Sequence, residues 1–164
     1  QNIVNSDEWL SFVERFGIVS DRIVLLEAMT VAQNLAIAFD LEIDPVPPNV
    51  RERVAVLAAE VGIDTLLLET RVADGPPLLR SRVHLARALA FDPAIIVLEH
   101  PTAHLSSDET TEYAALVKGI CEARRLTTVG LVMDEKFAKA TGGRLLFWQP
   151  ATGDVRERSA MRFW

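Results

Sequence analysis

The feature that most constrains this chain is a junction between two kinds of repeat. Residues 82–89, Arg-Val-His-Leu-Ala-Arg-Ala-Leu, carry apolar residues at helical spacing, and Asp92-Pro93 follows almost at once. Proline lacks the N–H that would extend a helix and disfavours helical backbone in the residue before it. Immediately afterwards comes Ile95-Ile96-Val97-Leu98, closed by Glu99. A short apolar run without alternation suits a strand covered on both faces, as in a parallel sheet. Open parallel sheets bind their ligands beyond the carboxyl ends of the strands. Glu99, with the loop His100-Pro101-Thr102 behind it, therefore stands where a cation or a phosphate-bearing ligand would be handled.

At 164 residues the chain is long enough for one domain with a sizeable core. Hydrophobic residues make up 49% and charged residues 24%, a soluble globular composition. The net charge of -6 argues against a nucleic-acid partner, which needs a basic face. The single cysteine, Cys121, excludes an internal disulfide and lies on an apolar helical stripe, so it reads as core. No apolar run approaches the ~20 residues that a membrane span needs. The chain opens at Gln1 without a Met, and a fragment is the expectation.

In chain order, Ile3-Val4 reads as a strand end, followed by a short amphipathic helix with Trp9, Leu10, Phe12, Val13 and Phe16 as its apolar residues. Gly17 to Ser20 reads as a strand with a polar exit at Asp21. Thr30 and Gln33 form a capping-box pattern that opens a helix through Ala38. Prolines 45, 47 and 48 make a loop, and Val50 to Val61 is a helix stopped by Gly62. A second capping box, Ser106 with Glu109, opens a helix whose buried stripe is Tyr113, Leu116, Val117, Ile120 and Cys121. Thr127 to Met133 reads as another buried strand. A short helix from Phe137 to Gly142 follows, then a strand from Arg144 to Trp148 that returns through Asp154 to Arg156 as a hairpin. His84 reads as a surface residue in mid-helix.

The stretch Leu85-Ala86-Arg87-Ala88-Leu89, the Asp92-Pro93 break and the strand ending in Pro101-Thr102 resemble the ATP-binding cassette (ABC) ATPases, the motor subunits of ABC transporters. Thr30-Val31 with Asn34 matches that family's T-V-x-x-N, and the closing hairpin is also usual there. The resemblance implies a P-loop NTPase-like α/β fold, with a mostly parallel sheet, flanking helices and a helical subdomain, its N-terminal part missing. Residues 1–21 would end the N-terminal core part with the Q-loop, 22–79 would form the helical subdomain, and 80–164 would complete the core. ATP and Mg²⁺ are the implied cofactors. A second ATPase subunit and transmembrane permease subunits are the implied partners, at the cytoplasmic face of a membrane.

The residues that would do the chemistry depart from the family's pattern. Asp21 stands at the Q-loop glutamine and Glu99 at the Walker B aspartate, and both could hold Mg²⁺ through oxygen. His100 stands at the catalytic glutamate, where an imidazole could take a proton from the attacking water. Asp134 stands at the switch histidine, and an ionised carboxylate cannot donate a hydrogen bond to phosphate. Pro76, Pro77 and Leu78 stand at the signature Ser-Gly-Gly that faces the partner's nucleotide. Proline offers no N–H there, and Leu78 blocks the close approach that glycine permits. A metal site of Glu99, His100 and His104 is disfavoured, because Pro101 breaks the helix that would align the histidines. No G-x-x-x-x-G-K-[ST] occurs, and only 20 residues precede Asp21. The expected function is the ATP-binding subunit of an ABC transporter. The alternative is an inactive pseudo-ATPase that serves as a structural or regulatory partner.

Overall fold

A computed structural model describes residues 6–157, so the strand expected at Ile3-Val4 lies outside the described residues. Three parallel strands form the sheet: β1 (Phe16–Ser20), β2 (Ile95–Glu99) and β3 (Thr127–Leu131), in the order β1-β2-β3. Ser20 pairs in register with Glu99, and Glu99 with Leu131, so the carboxyl ends of all three strands lie in one row. The expected parallel sheet is present.

The connections are helical. Between β1 and β2 lie α2 (Val31–Ala36), α3 (Pro48–Glu60) and α4 (Pro77–Leu89); α5 (Ser107–Arg124) joins β2 to β3. Before them all stands α1 (Ser6–Val13), and after β3 come α6 (Glu135–Ala140) and the antiparallel hairpin of β4 (Leu146–Gln149) and β5 (Asp154–Glu157).

Local signals explain the ends of these helices. Thr30 and Gln33 satisfy each other's backbone N–H groups in a complete capping box, as do Ser106 and Glu109. Gly62, at φ 68°, follows the C-cap of α3 in left-handed backbone that favours glycine. Asn34 is fully buried, and its amide accepts from the Leu26 N–H and donates to the Leu26 and Thr30 carbonyls. It thereby pins the segment after β1 to α2.

The core runs from α2 and α3 through α4 to β2 and α5, with Leu35, Leu85, Ile96, Leu98 and Tyr113 essentially without exposure. Gly17 sets how closely α4 can lie on β1. A Cβ there would sit 2.3 Å from the Ala88 carbonyl oxygen. Arg124 fastens the far end: its guanidinium donates to both oxygens of Glu60 at 2.6 and 2.5 Å and to the Leu89 carbonyl at 3.1 Å. The tail of α3, the tail of α4 and the tail of α5 thus meet on one side chain.

Two expectations need correction. The strand from Thr127 is exposed at all five residues, where burial was expected, because no element covers its outer edge among the described residues. Phe16, expected among the apolar residues of the first helix, opens β1 instead, and the apolar residues of α1 are about half exposed and contact one another, Trp9 stacking on Phe12 and Phe12 packing edge-on against Phe16.

Candidate functional site

The parallel register delivers the ends of β1 and β2 side by side, and their exit loops carry the polar residues. A cavity of about 450 Å³ opens there, lined by Ser20, Asp21, His100 and His104 from the strand exits and by Arg80 and His84 from α4. Pro77, at the first turn of α4, and Gly75 close one side. Three side chains expected at a ligand site, Asp21, Glu99 and His100, therefore fall at one end of the sheet, although Glu99 does not line the cavity itself.

Glu99 is held from behind. The Ser20 hydroxyl, only 2% exposed, donates to Glu99 Oε2 at 2.7 Å. The Arg22 backbone N–H donates to the same hydroxyl at 3.2 Å, and the Arg22 guanidinium stands 3.5 Å from Glu99 Oε1. Asp21 faces the other way, with an oxygen 3.6 Å from His104 Nε2.

His100 begins the loop after β2 at φ 44°, in the left-handed region that is uncommon for a residue other than glycine. Its N–H donates to the Leu131 carbonyl at 2.9 Å, which ties this turn to the end of β3. The side chain lines the polar cavity and also a larger apolar groove of about 1160 Å³ beside β3, α5, α6 and β4. It forms the ridge between the two.

His84 corrects the surface reading. It is half-buried, it lines the cavity, and its Nδ1 is buried without a hydrogen-bond partner among the described residues. Burial, reinforced by the neighbouring Arg87 charge, holds its pKa down at about 4, against a partial upward pull from Asp21. The ring is therefore neutral near pH 7. A signal for it was available: Arg80, His84 and Arg87 recur at helical spacing and mark a polar face of α4.

Of the other expected residues, Pro77 lines the cavity, and Pro76, Leu78 and Asp134 do not. The Asp134 carboxylate caps α6, accepting from the Lys136 and Phe137 N–H groups at 2.8 and 3.1 Å, and does not line the cavity. Pro76 is the N-cap residue of α4, with Pro77 at its first position and Leu78 next. Near that helix start lies Glu109, held below the usual carboxylate range chiefly by hydrogen bonds from Ser106, with a smaller contribution from the Leu78 backbone. Among the described residues, no cluster of three or more His, Cys, Asp and Glu side chains could hold a metal ion. No helix among them is long and apolar enough to cross a membrane.

No family model matches the chain. Curated relatives do. The chain is 29% identical over 140 residues to the ABC transporter ATP-binding protein YtrE of Bacillus subtilis, covering 82% of this chain and 58% of that protein. It is 32% identical over 133 residues to the sulfate/thiosulfate import ATP-binding protein CysA of Thermosynechococcus vestitus, covering 79% and 38%. It is 34% identical over 119 residues to the methionine import ATP-binding protein MetN 1 of Bacillus thuringiensis, covering 70% and 33%. The chain thus spans between 58% and 33% of the length of these three relatives. Among solved structures, the dimeric ATP-binding cassette MJ0796 bound to ADP and Pi superposes with a TM-score of 0.65 at 22% identity, over 85% of this chain and 61% of that one. This last likeness establishes the fold.

Proposed function

This chain belongs to the ATP-binding cassette ATPases, and from that premise we propose that it is part of the ATP-binding subunit of an ABC transporter. Such a subunit couples ATP binding and hydrolysis to transport. The observation that carries the proposal is the row of strand ends. Asp21, Glu99 and His100 come together beyond the carboxyl ends of adjacent parallel strands, next to the start of α4. That is where an α/β sheet handles phosphates. The relatives' names speak of ATP-binding proteins and give no support to an inactive partner.

In this reading residues 22–79 are the helical subdomain and the flanking segments are the core. A second ATPase subunit and transmembrane permease subunits are its partners, and the inner face of a membrane is its place of work. His100 is the proposed base, because an imidazole can accept the proton of an attacking water. Its turn is fixed by the hydrogen bond to Leu131, and the ring looks into the polar cavity. Ser106 is committed to capping α5.

Mg²⁺ is the second expected cofactor, at Glu99 and Asp21. Beside a nucleotide it needs only one or two carboxylates, so the test of fit lies in how those carboxylates are engaged. Both oxygens of Glu99 have partners from this chain, a hydroxyl donor and a guanidinium, and Asp21 faces His104. This arrangement does not fit a divalent cation at Glu99.

His100 can be tested in the full-length protein. His100→Ala should lower ATP turnover about a hundredfold, the scale of a lost general base, while leaving nucleotide affinity within about twofold. Unchanged turnover would remove His100 from the chemistry.

A further inference from the structure

We propose that Arg22 supplies, from the chain itself, the positive charge at Glu99 that a divalent cation would otherwise bring. The inference rests on the reading of Glu99 as part of a nucleotide site, but not on any particular step at that site. Three observations carry it.

The first is orientation. Ser20 and Glu99 are register partners at the last position of two parallel strands, so their side chains emerge next to each other. The Ser20 hydroxyl is buried and spends its one proton on Glu99 Oε2 at 2.7 Å. Its oxygen in turn accepts the Arg22 N–H at 3.2 Å. This chain of two hydrogen bonds sets the carboxylate plane and, at the same time, the backbone from which Arg22 projects.

The second is charge. With Oε2 engaged, Oε1 is the oxygen left for a cation, and the Arg22 guanidinium stands 3.5 Å from it. A divalent ion at Oε1 would have to displace that group or lie beside it against like-charge repulsion. Glu99 is only 27% exposed, while Arg22 is 78% exposed, so water screens the pair mainly from the Arg22 side.

The third is that the neighbouring anion, Asp21, is turned to another partner. Asp21 lies between Ser20 and Arg22 in sequence, yet its carboxylate faces His104, at 3.6 Å. Glu99 thus stands beside a guanidinium of this chain and Asp21 beside an imidazole. A guanidinium also differs from Mg²⁺ in what it offers a phosphate: forked N–H donors at fixed geometry in place of an exchangeable coordination sphere.

The test uses Mn²⁺ alone, without nucleotide, titrated into the full-length protein and followed by the electron paramagnetic resonance signal of the free ion. Arg22 is 78% exposed, so Arg22→Gln should fold, and an unchanged melting temperature will verify that. An exposed ion pair contributes up to about 1 kcal/mol, which is about fivefold in affinity. Arg22→Gln should therefore tighten Mn²⁺ binding by about fivefold, and Glu99→Gln added to it should cancel the gain. Unchanged or weaker binding in Arg22→Gln would overturn the proposal, as would a gain that survives Glu99→Gln or the absence of binding in both variants. The readout needs neither ATP nor turnover, so its failure is distinguishable from a failure of the nucleotide-site reading.

Discussion

The two neighbours of β2 make an instructive pair. On one side β1 is sealed on the face under α4, where Gly17 has no room for a side chain, while Ile18 on its other face is 49% exposed. On the other side β3 is exposed along its whole length, with Val129 at 50%, Leu131 at 60% and the following Met133 at 90%. The sequences are of the same class, short and apolar. What differs is whether another element of the described chain lies over them. The apolar surface continues from β3 across Leu146 and Trp148, both more than half exposed, beside the large groove. Hydropathy records which surface gains from being covered; it does not record whether anything in the same chain covers it.

Truncation at equal chemistry is the sharpest way to break this comparison. Leu85→Ala, in the sealed half, should cost about 3 kcal/mol in denaturant unfolding, since it opens a cavity in a close-packed core. Leu131→Ala, in the open half, should change stability by less than about 0.5 kcal/mol. Equal losses would mean that β3 is buried in solution, and the contrast would fall.

Arg124 comes next. Arg124→Ala leaves the partly buried Glu60 without its two-armed partner and frees the Leu89 carbonyl, a loss of about 2 kcal/mol. The same measurement reads it, and Arg124→Lys should recover only part of the loss, because an ammonium cannot span both carboxylate oxygens.

The sealed half also contains a titrating group. His84 has a folded pKa of about 4 against an ordinary value of 6.5, so between those values the unfolded chain binds the extra proton. Stability should therefore be fully present above pH 6.5, fall as the pH drops toward 4, and level off below. The ring keeps some contact with solvent, so the effect should stay below that of Arg124→Ala. His84→Leu should flatten the melting temperature over that window; an unchanged slope would place the titration elsewhere.

Outside β3, the smallest expected loss is at a helix cap. Ser106→Ala removes one capping bond at the start of α5 and should cost about 1 kcal/mol by thermal unfolding.

What could be read from residues alone follows the range of the physics. Both capping boxes, the stop at Gly62, the α4 stripe and the Asp92-Pro93 break depend on groups a few positions apart, and the structure has them where the pattern requires. The parallel sheet was legible because an unalternating run such as Ile95–Leu98 suits few other environments. The Ser20–Glu99 hydrogen bond spans 79 residues of sequence and depends on strand register, which no local pattern encodes. The Asp134 carboxylate was read for its charge, whereas its position before Glu135 makes it a helix cap. The exposure of β3 was illegible for the opposite reason: its apolar pattern is sound and describes a contact that the described residues do not supply.

The most direct test of the nucleotide site is the side-chain NMR spectrum of the full-length protein, labelled at histidine and titrated with ATP. The signals of His84, His100 and His104 can be assigned by single His→Gln substitutions. With the site at the ends of β1 and β2, the His100 resonances should move as ATP saturates. If His100 stays fixed at saturating nucleotide, ATP binds elsewhere and the cavity at the strand ends is not its site.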